Sequence, residues 1–445
     1  MSDHYGPDKF WEVKAAGNLK FDEPLKPNDE RYVDLNEARG KNVFNRLLKP
    51  LGFDKGFEPR LVEENENHYI LFCGHRGCGK STELNRIAQK LHRPDGYYVV
   101  TCNIIDDLDT NNTQYVDILF LVAQKIVQQL DSDGISIDES KLQDLKDFFK
   151  ERIISQIKER NFAAQIEAGI EVKAGLPFIG ALLAKMTSAF KTSSTHRDEI
   201  RELVRNQYSI FKNAFNNLLK ETKKNILQKE LGKNLLVVID GTDRLSRVDC
   251  DHIFINHASQ LTQLETNFIY TVPIHLVYES NQIRNNYENP FVLPNVILTH
   301  ELDGKKKQKS WKAMRDLIKR RIHPDLFDDP EKTIDYIIEM SGGHIRELIH
   351  ILQESFTMSD TDTFTMDAVK TAIRHLQADY MRFLKEQDYE RLLRLYKTKD
   401  KESDDIMKNL LFNSVVLEYN DFWRDINPIV RQASEFQKKL KAHGE

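Results

Sequence analysis

Cysteine is scarce in this sequence, and its four residues do not group into a metal-binding or disulfide pattern. Cys73, Cys78, Cys102 and Cys250 show no paired ligand spacing, so neither a zinc site nor a disulfide framework is indicated. Long apolar runs are absent too, because no stretch approaches the ~18 apolar residues that a membrane-spanning helix needs. The sequence therefore gives no sign of a membrane-spanning or disulfide-stapled protein.

A large excess of charge of either sign is also missing. The 64 lysines and arginines nearly balance the 69 aspartates and glutamates, which leaves a formal net charge of -5. Bulk attraction to nucleic acid or to an anionic membrane is not expected, and any such contact needs a local patch. The chain starts without the basic and then apolar build of a signal peptide. We expect a cytoplasmic protein with reduced thiols.

What the sequence does contain is a glycine-rich phosphate loop. Residues Gly74–Ser81 fit the pattern G-x-x-x-x-G-K-[ST], between an apolar run, Tyr69–Cys73, and a segment with helical apolar spacing, Ser81–Leu91. In such a loop, backbone N–H groups surround phosphates at a helix N-terminus. We expect Lys80 to reach the β- and γ-phosphates and Ser81 to bind Mg²⁺. The expected nucleotide contacts are Gly74, His75, Arg76, Gly77, Cys78, Gly79, Lys80, Ser81 and Thr82.

A second motif supplies an acidic residue for the same site. The apolar residues Leu235–Ile239 predict a strand buried on both faces, and Asp240 follows it directly. An aspartate at this place binds the magnesium of P-loop ATPases. The alternative role for Asp240 is to cap the following turn. Val99–Asp106 is a competing segment, but Cys102 and Asn103 interrupt its apolar run.

The carboxylate that would orient the attacking water is displaced along the chain. Many ATPases carry an acidic residue directly after the magnesium aspartate, whereas Gly241 stands there in this sequence. Asp243 is the next carboxylate and becomes the candidate base. Its alternative is to pair with Arg244 or to cap the next helix. A poorly placed Asp243 would make turnover slow, which suits a switch.

Strands and helices alternate through most of the chain, which predicts an α/β fold with a mostly parallel sheet covered on both faces. After about Pro324 only helices follow, and then a hairpin with a turn at Asn420-Asp421. The further predicted strands are Tyr97–Thr101, Asn267–Val272 and Val296–Leu302, and the predicted helices include Leu35–Leu48, Tyr115–Leu130, Lys141–Glu159, His196–Leu227 and Tyr380–Lys397. The predicted divisions are a lead-in segment (1–60), a P-loop ATPase core (61–324) with a helical insertion (about 131–230), a helical bundle (325–378) and a C-terminal unit (379–445).

Three segments resemble the AAA+ and STAND branch of P-loop ATPases, whose sheet has an additional strand between the two nucleotide motifs. They are Gly74–Leu84, which is similar to a bacterial subgroup, Leu235–Leu245 and Ser341–Leu348. The resemblance extends over roughly residues 60–430 and includes origin-recognition-like members. It implies ATP and Mg²⁺ as cofactors and ATP hydrolysis as the reaction. It also implies that residues 325–378 form a lid and residues 379–445 a winged-helix-like domain.

The resemblance implies roles for residues outside the two motifs. Thr271 stands where a polar residue senses the γ-phosphate, although a plain strand-end threonine is the alternative. Arg346 matches the lid arginine that reaches the γ-phosphate, and its alternative is a surface arginine on a helix. The segment Arg31–Val33 corresponds to the part that lines the base. No arginine finger can be assigned, and the candidates are Arg244, Arg320 and Arg321.

Three functions are compatible with these motifs. The first is an ATP-driven regulatory switch that acts on a separate effector protein, because no nuclease, protease or other effector motif is visible in the chain. Relatives of this kind form homo- or hetero-oligomers and often serve bacterial antiphage defence. The second is a DNA-associated loader or remodeller whose winged helix grips DNA. The third is a scaffold that binds ATP without hydrolysing it.

Two further segments bear on partners. The basic stretch from Lys305 to Arg321 either contacts a phosphate backbone or forms a solvated face, and we favour the solvated face. Gly169–Phe190 contains a small apolar patch interrupted by Lys173 and Lys185. A buried hairpin is favoured there over contact with a membrane.

Overall fold

The computed structural model describes residues 5–15, 17–40, 43–60, 66–158, 175–192, 194–288, 290–299, 304–420 and 423–443. Within these ranges, no helix is both long and apolar enough to cross a membrane. The first part of the predicted patch Gly169–Phe190, including Lys173, lies outside the described residues. The remainder forms a helix, Gly175–Thr192, instead of a hairpin, and this helix packs against the helix Tyr115–Ser132.

Five parallel strands form the central sheet of the described chain. They are β1 Tyr69–Gly74, β2 Tyr97–Asn103, β3 Asn234–Asp240, β4 Asn267–Pro273 and β5 Phe291–Val292, in the spatial order β2-β3-β4-β1-β5. β4 therefore separates β1, which leads into the phosphate loop, from β3, which ends at Asp240. This arrangement confirms the predicted P-loop sheet with an additional strand.

The strand register gathers the predicted site residues at one edge of the sheet. Phe72 of β1 lies opposite Thr271 of β4, and Asn103 of β2 lies opposite Asp240 of β3. Because the strands are parallel, their carboxyl ends all open toward the phosphate loop. Nearly every residue of β1, β3 and β4 is buried, since helices cover both faces of the sheet.

The prediction of a strand at Val296–Leu302 is wrong for its described part, residues 296–299, because the last strand of the central sheet is β5 and is only two residues long. Residues 300–302 lie outside the described chain. The backbone amides after β5 are used to join separate parts of the molecule instead of extending the sheet. Asn295 donates to Glu418 O (3.4 Å), Val296 to Gly343 O (3.1 Å) and Ile297 to Ala38 O (3.0 Å).

Helices surround the sheet and build the insertion. In chain order up to the lid they are Phe10–Ala15, Asn36–Arg39, Asn45–Leu48, Lys80–Leu91, Ile104–Asp107, Tyr115–Ser132, Gln143–Asp147, Gly175–Thr192, Ser194–Asn206, Tyr208–Gln228, Arg247–Asp251, Ala258–Leu261, Ser280–Asn286 and Gln308–Lys319. The described residues of the insertion share their core with the sheet. Phe148 and Phe211 belong to the same buried apolar cluster as Leu71, Val100 and Val237 of the sheet.

Three predicted helices are interrupted in the structure. Leu35–Leu48 is broken near Gly40, where φ is 139°, and becomes two short helices on either side. Lys141–Glu159 becomes the short helix Gln143–Asp147 followed by a π-helical turn, Phe148–Ile153, and Glu159 lies outside the described residues. His196–Leu227 divides at Gln207, a residue that carries no sequence signal for a break.

The helical half consists of the helical bundle that the resemblance predicts to be a lid, called the lid below, and the C-terminal unit. The lid contains helices Pro330–Ser341, Ile345–Met358 and Met366–Met381. Tyr380 lies in the last turn of the third helix, so the predicted start of the next helix is too early, since that helix begins at Glu386. The C-terminal unit contains helices Glu386–Thr398, Asp405–Phe412, Pro428–Arg431 and Ser434–Ala442 and an antiparallel hairpin, β6 Val416–Glu418 and β7 Arg424–Ile426. Asp421, in the predicted turn, lies outside the described residues. The winged-helix identity of this unit stays a prediction.

The lead-in segment packs on two different parts of the molecule. Its first part joins the lid, where the rings of Phe10 and Phe356 stack at 4.4 Å and Leu35 and Ala38 enter the same apolar cluster. Its second part, which contains Phe44, packs against one face of the sheet. Residues of the first part, between Lys20 and Arg39, line a cavity beside the phosphate loop and so contribute to the site described next.

Candidate nucleotide-binding site

The phosphate loop connects β1 to the helix Lys80–Leu91, and two of its positions require glycine. Gly77 has a φ of 86° and Gly79 a φ of 98°, values that other residues rarely adopt. A Cβ at Gly77 would lie 2.3 Å from the Cβ of Arg346. The amides of Gly77 and Gly79 donate to no protein acceptor in the described part of the chain. Free N–H groups at a helix N-terminus are the arrangement that binds phosphate.

Lys80 is buried at the centre of the loop, and all three of its donors are engaged. Its Nζ lies 3.0 Å from Gly74 O, 2.8 Å from His75 O and 2.7 Å from Asp243 Oδ2. Burial alone would lower the pKa of Lys80, but the Asp243 carboxylate outweighs it and the pKa is raised. Lys80 is therefore a cation held beside the loop where phosphates would lie.

Ser81 and Asp240 meet as the two motifs predict. Ser81 Oγ donates to Asp240 Oδ1 at 3.1 Å, and this oxygen also accepts from the Gly241 amide at 2.8 Å. Burial, followed by the nearby Asp243 carboxylate, raises the pKa of Asp240. A hydroxyl and a carboxylate are hard oxygen ligands that suit Mg²⁺, which takes its other ligands from water and from phosphates. The donor set therefore fits magnesium.

Thr271 lies beside Asp240 and is fully buried on β4. Its carbonyl oxygen accepts a hydrogen bond from the hydroxyl of Thr242, and the two hydroxyl oxygens are 3.5 Å apart. The Thr271 hydroxyl also helps to keep Asp240 ionised. The structure thus places Thr271 between the magnesium aspartate and the turn Thr242–Arg244, which carries Asp243.

Asp243 reaches the site, but its partner is neither Arg244 nor a helix cap. Its carboxylate pairs with Lys80. Burial would raise the pKa of Asp243, but the Lys80 ammonium outweighs burial and lowers it. While this pair lasts, the Asp243 carboxylate is occupied and cannot accept a proton from water. A phosphate group that takes Lys80 would release Asp243 for that task.

Arg346 lies across the loop from Lys80, in the first turn of the lid helix Ile345–Met358. Its amide donates to Gly77 O at 3.1 Å, and its side chain lines the same cavity as Lys80. Its Nε is buried and has no hydrogen-bond partner among the described residues. Burial, followed by repulsion from Arg244, lowers the pKa of Arg346. A half-buried guanidinium whose buried Nε lacks a partner favours an anion beside it.

The lead-in segment closes the cavity on the side away from the sheet. The predicted base-lining residues Arg31, Tyr32 and Val33 do line it, and Arg31 is paired with Asp29 at 2.7 Å. Further apolar lining comes from both the lead-in segment and the helical half: Phe21, Pro24, Leu25, Leu35, Leu317, Ile345 and Ile349. An apolar pocket beside a phosphate loop has the composition expected for a nucleoside.

The other predicted loop contacts bind protein with their side chains. His75 Nε2 accepts the Glu418 amide at 2.8 Å, and burial lowers the pKa of His75 to about 3. Arg76 donates to Asp243 O and Leu245 O, both at 3.0 Å. Thr82 Oγ1 accepts the Leu25 amide at 3.1 Å. Cys78 is fully buried. These residues offer their backbone, not their side chains, to a nucleotide.

The three candidate arginine fingers are held within the chain. Arg320 donates to the carbonyls of Glu30 (2.9 Å) and Tyr32 (2.6 Å). Arg321 is buried and donates to Arg31 O at 3.2 Å. Arg244 donates to Asp22 O at 3.0 Å. All three therefore hold the lead-in segment of their own chain.

Two residues at the site escaped the sequence analysis. Arg39 is buried beneath the loop and donates to Cys78 O at 2.6 Å, and no motif marks it. His344 donates from Nε2 to Arg76 O at 2.9 Å. The second could have been noticed, because it stands inside the segment Ser341–Leu348 at the start of the lid helix.

Comparison with known proteins adds little to this geometry. No protein-family model and no curated protein sequence matches the chain. Among solved structures, a Walker-type ATPase of Pyrococcus abyssi has a TM-score of 0.41 and 14% identity, over 93% of this chain and 98% of that one. The Thermotoga maritima RuvB Holliday junction branch migration motor has a TM-score of 0.35 and 13% identity, over 93% and 98%. These similarities are too low to carry a functional argument.

Proposed function

We propose that this protein binds and slowly hydrolyses ATP with Mg²⁺ and uses the cycle as a switch that acts on a separate effector protein. The observation that carries the proposal is a pair of cations on opposite sides of the phosphate loop, the buried Lys80 and the half-buried Arg346. Lys80 belongs to the core and Arg346 to the lid, and both line one cavity with the free amides of Gly77 and Gly79. A polyphosphate would satisfy both cations at once.

Binding would also rearrange the site. The Lys80–Asp243 pair occupies the place where phosphates are bound, so a nucleotide has to replace the carboxylate on Lys80. Asp243 then becomes free to orient water near Ser81 and Asp240. Because this exchange precedes hydrolysis, we expect slow turnover.

A route to the C-terminal unit supports the switch. The guanidinium of Arg76 lies 4.5 Å from the ring centre of Phe412, and the amide of Glu418 binds His75. Both contacts connect the phosphate loop with the C-terminal unit. A loop that moves on nucleotide binding would therefore alter how that unit is held, which is the kind of change an effector could detect.

The test is phosphate release from Mg·ATP by the full chain. We expect slow release by the wild type and a decrease of about 10- to 100-fold for Arg346→Met, because a cation near the γ-phosphate is lost. Arg374→Met is the matched control, since Arg374 lies on the lid but is exposed and bonds Thr371. ATP binding without phosphate release by the wild type would refute hydrolysis.

A scaffold that binds ATP without hydrolysis is the second candidate, and the engagement of Asp243 by Lys80 favours it. Light scattering separates the two. The switch requires that Asp243→Asn with Mg·ATP forms an assembly that the wild type forms only transiently. The scaffold requires the same mass for both.

The DNA-associated alternative receives less support. Within the basic stretch, Arg315 pairs with Asp335 at 2.6 Å and Lys309 with Glu37 at 2.9 Å, and Arg320 and Arg321 hold the lead-in segment. Duplex DNA binding that weakens steeply with salt would restore this alternative.

A further inference from the structure

The carbonyl oxygens of the phosphate loop are held by residues from three separate parts of the chain. Lys80 Nζ binds the first two, as described above. The next three accept hydrogen bonds from outside the loop: Arg76 O from His344 Nε2 at 2.9 Å, Gly77 O from the Arg346 amide at 3.1 Å, and Cys78 O from Arg39 Nη2 at 2.6 Å. The lid and the lead-in segment therefore fix the carbonyl oxygens of the loop by hydrogen bonds.

Peptide geometry gives these contacts a consequence for phosphate binding. In a planar trans peptide, the C=O of one residue and the N–H of the next point in opposite directions. A donor that holds Arg76 O therefore sets the direction of the Gly77 N–H, and a donor that holds Cys78 O sets that of the Gly79 N–H. Both of these amides, like those of His75 and Arg76, have no protein acceptor among the described residues.

We propose that Arg39 and His344 are positioning residues that aim the Gly77 and Gly79 amides at the phosphates of a nucleoside di- or triphosphate. Neither residue touches the nucleotide in this scheme. Each acts through one peptide group of the loop. The proposal rests on the proposed nucleotide binding and goes beyond it, since it explains which protein groups determine selectivity for the β- and γ-phosphates.

Arg39 is buried, and its guanidinium is held by two backbone carbonyls. It is 1% exposed, and its Nη1 donates to Pro294 O, beside the segment that joins the core to the lid. A Cβ on Gly79 would lie 3.2 Å from Arg39 Nη2, so glycine allows the close approach. A lysine could supply one of the two bonds, whereas a methionine could supply neither.

His344 is equally constrained. It is 1% exposed, and its Nδ1 accepts the Glu347 amide at 3.3 Å, which leaves the proton on Nε2 for Arg76 O. Burial lowers the pKa of His344 well below its usual value, so the ring stays neutral with one donor and one acceptor. Glutamine carries a comparable amide donor, and phenylalanine keeps the bulk of the ring but loses the donor.

The experiment compares the affinities of AMP, ADP and a non-hydrolysable ATP analogue by calorimetry in Mg²⁺. Its readout is the ratio of ADP to AMP affinity, because a general structural defect lowers both. We expect this ratio to fall about 10-fold in Arg39→Met and in His344→Phe, which corresponds to one hydrogen bond to a charged group. Arg39→Lys and His344→Gln should recover part of the loss.

Arg320→Met is the matched control. Arg320 is also an arginine that donates to two carbonyls of the lead-in segment, Glu30 O and Tyr32 O, but it does not reach the phosphate loop. The control should leave the ADP to AMP ratio unchanged even if it weakens both affinities.

The outcomes are distinguishable. If the wild type binds none of the three nucleotides, the proposed function fails and this inference with it. If the wild type binds ADP and both Arg39→Met and His344→Phe keep the wild-type ratio, only the inference fails. If one variant does not fold, the other still decides, because each acts on a different peptide of the loop.

Discussion

Two buried ion pairs in this molecule, one in the insertion and one in the site, look alike but are built differently. The insertion pair joins Arg201, on the insertion helix Ser194–Asn206, to Asp117, on the preceding helix Tyr115–Ser132, and the two side chains are 0% and 3% exposed. Lys80 and Asp243, at 3% and 10%, join the phosphate loop to the turn after β3. Both pairs bring opposite charges out of water, which is stabilising only when the partners are fully satisfied.

The difference lies in what surrounds each carboxylate. Asp117 accepts Arg201 Nε at 2.9 Å, a second bond from Nη2, and the Gln114 amide at 3.0 Å. Asp243 is bound by the single ammonium of Lys80 and lines the cavity. The first pair has no room for another anion. The second faces a space in which a phosphate can replace the carboxylate.

Removing the cation of the insertion pair should have the largest effect. Arg201→Met leaves the Asp117 carboxylate buried with no cation, and we expect a loss of about 3–5 kcal/mol in the free energy of unfolding. Denaturant titration measures it. Arg205→Met is the control one turn along the same helix, because Arg205 is exposed and bonds only Gln114 Oε1 at 3.3 Å. Equal losses in the two variants would contradict a structural role for the pair.

Removing the cation of the site pair should affect binding more than folding. We expect Lys80→Met to weaken ATP binding by about 100-fold or more, since a charge-assisted contact to the phosphates is lost. The free energy of unfolding should fall by less than for Arg201→Met, because the Asp243 carboxylate lines the cavity whereas Asp117 is enclosed by its partners. If Lys80→Met lost as much stability as Arg201→Met and still bound ATP, the Lys80–Asp243 pair would be structural and would not serve ATP binding.

The contrast between the pairs also shows what the sequence could predict. The strands β1, β3 and β4 are predicted nearly to the residue, because each is a mostly apolar run with a local end signal: Gly74 for β1, Asp240 for β3 and Pro273 for β4. The break at Gln207 and the two-residue β5 could not be predicted. They depend on packing and on amides that bind distant parts of the chain, such as Val296 to Gly343 O.

For the site too, the sequence predicts the local motifs but not the contacts between distant parts of the chain. The spacing of glycines and the acidic strand end place Lys80, Ser81 and Asp240 together by local rules. Nothing local specifies that Arg39 passes beneath the loop, or that Asp243 turns toward Lys80 instead of Arg244. Those contacts depend on how the lead-in segment and the turn Thr242–Arg244 pack, which only the folded chain determines.

Neutralising the carboxylate of the site pair should separate binding from hydrolysis. Asp243→Asn removes the anion that competes for Lys80, so we expect ATP affinity to rise by about 10-fold while phosphate release falls about 100-fold. Asp95→Asn is the control for loss of one negative charge, since Asp95 is exposed and pairs with Arg93 at 3.0 Å. Weaker ATP binding by Asp243→Asn would mean that the carboxylate assists binding and does not compete with it.

A third buried pair, between Glu418 and Arg424 in the C-terminal hairpin, lies between these two cases. Both side chains are 3% exposed, but one bond of 3.2 Å joins them, and Arg424 also donates to Glu402 O and Ser403 Oγ. The carboxylate is thus less satisfied than Asp117. Burial outweighs the attraction of Arg424 and raises the pKa of Glu418 from 4.5 to about 7.

The Glu418–Arg424 pair should make the free energy of unfolding depend on pH. A carboxyl whose pKa is higher in the folded state binds more protons there, so its contribution to stability is present below about pH 4.5 and is lost as the pH rises toward about 7. Glu418→Gln cannot titrate, so the variant should gain on the order of 1 kcal/mol relative to the wild type between pH 5 and 7. Denaturant titrations of both proteins at each pH measure the difference in the free energy of unfolding. Because both proteins contain His75, the contribution of its titration cancels in this difference. A difference that does not change with pH would show that Arg424 fully offsets the burial of Glu418, which Arg201 does not do for Asp117, because burial raises the pKa of Asp117 despite that partner.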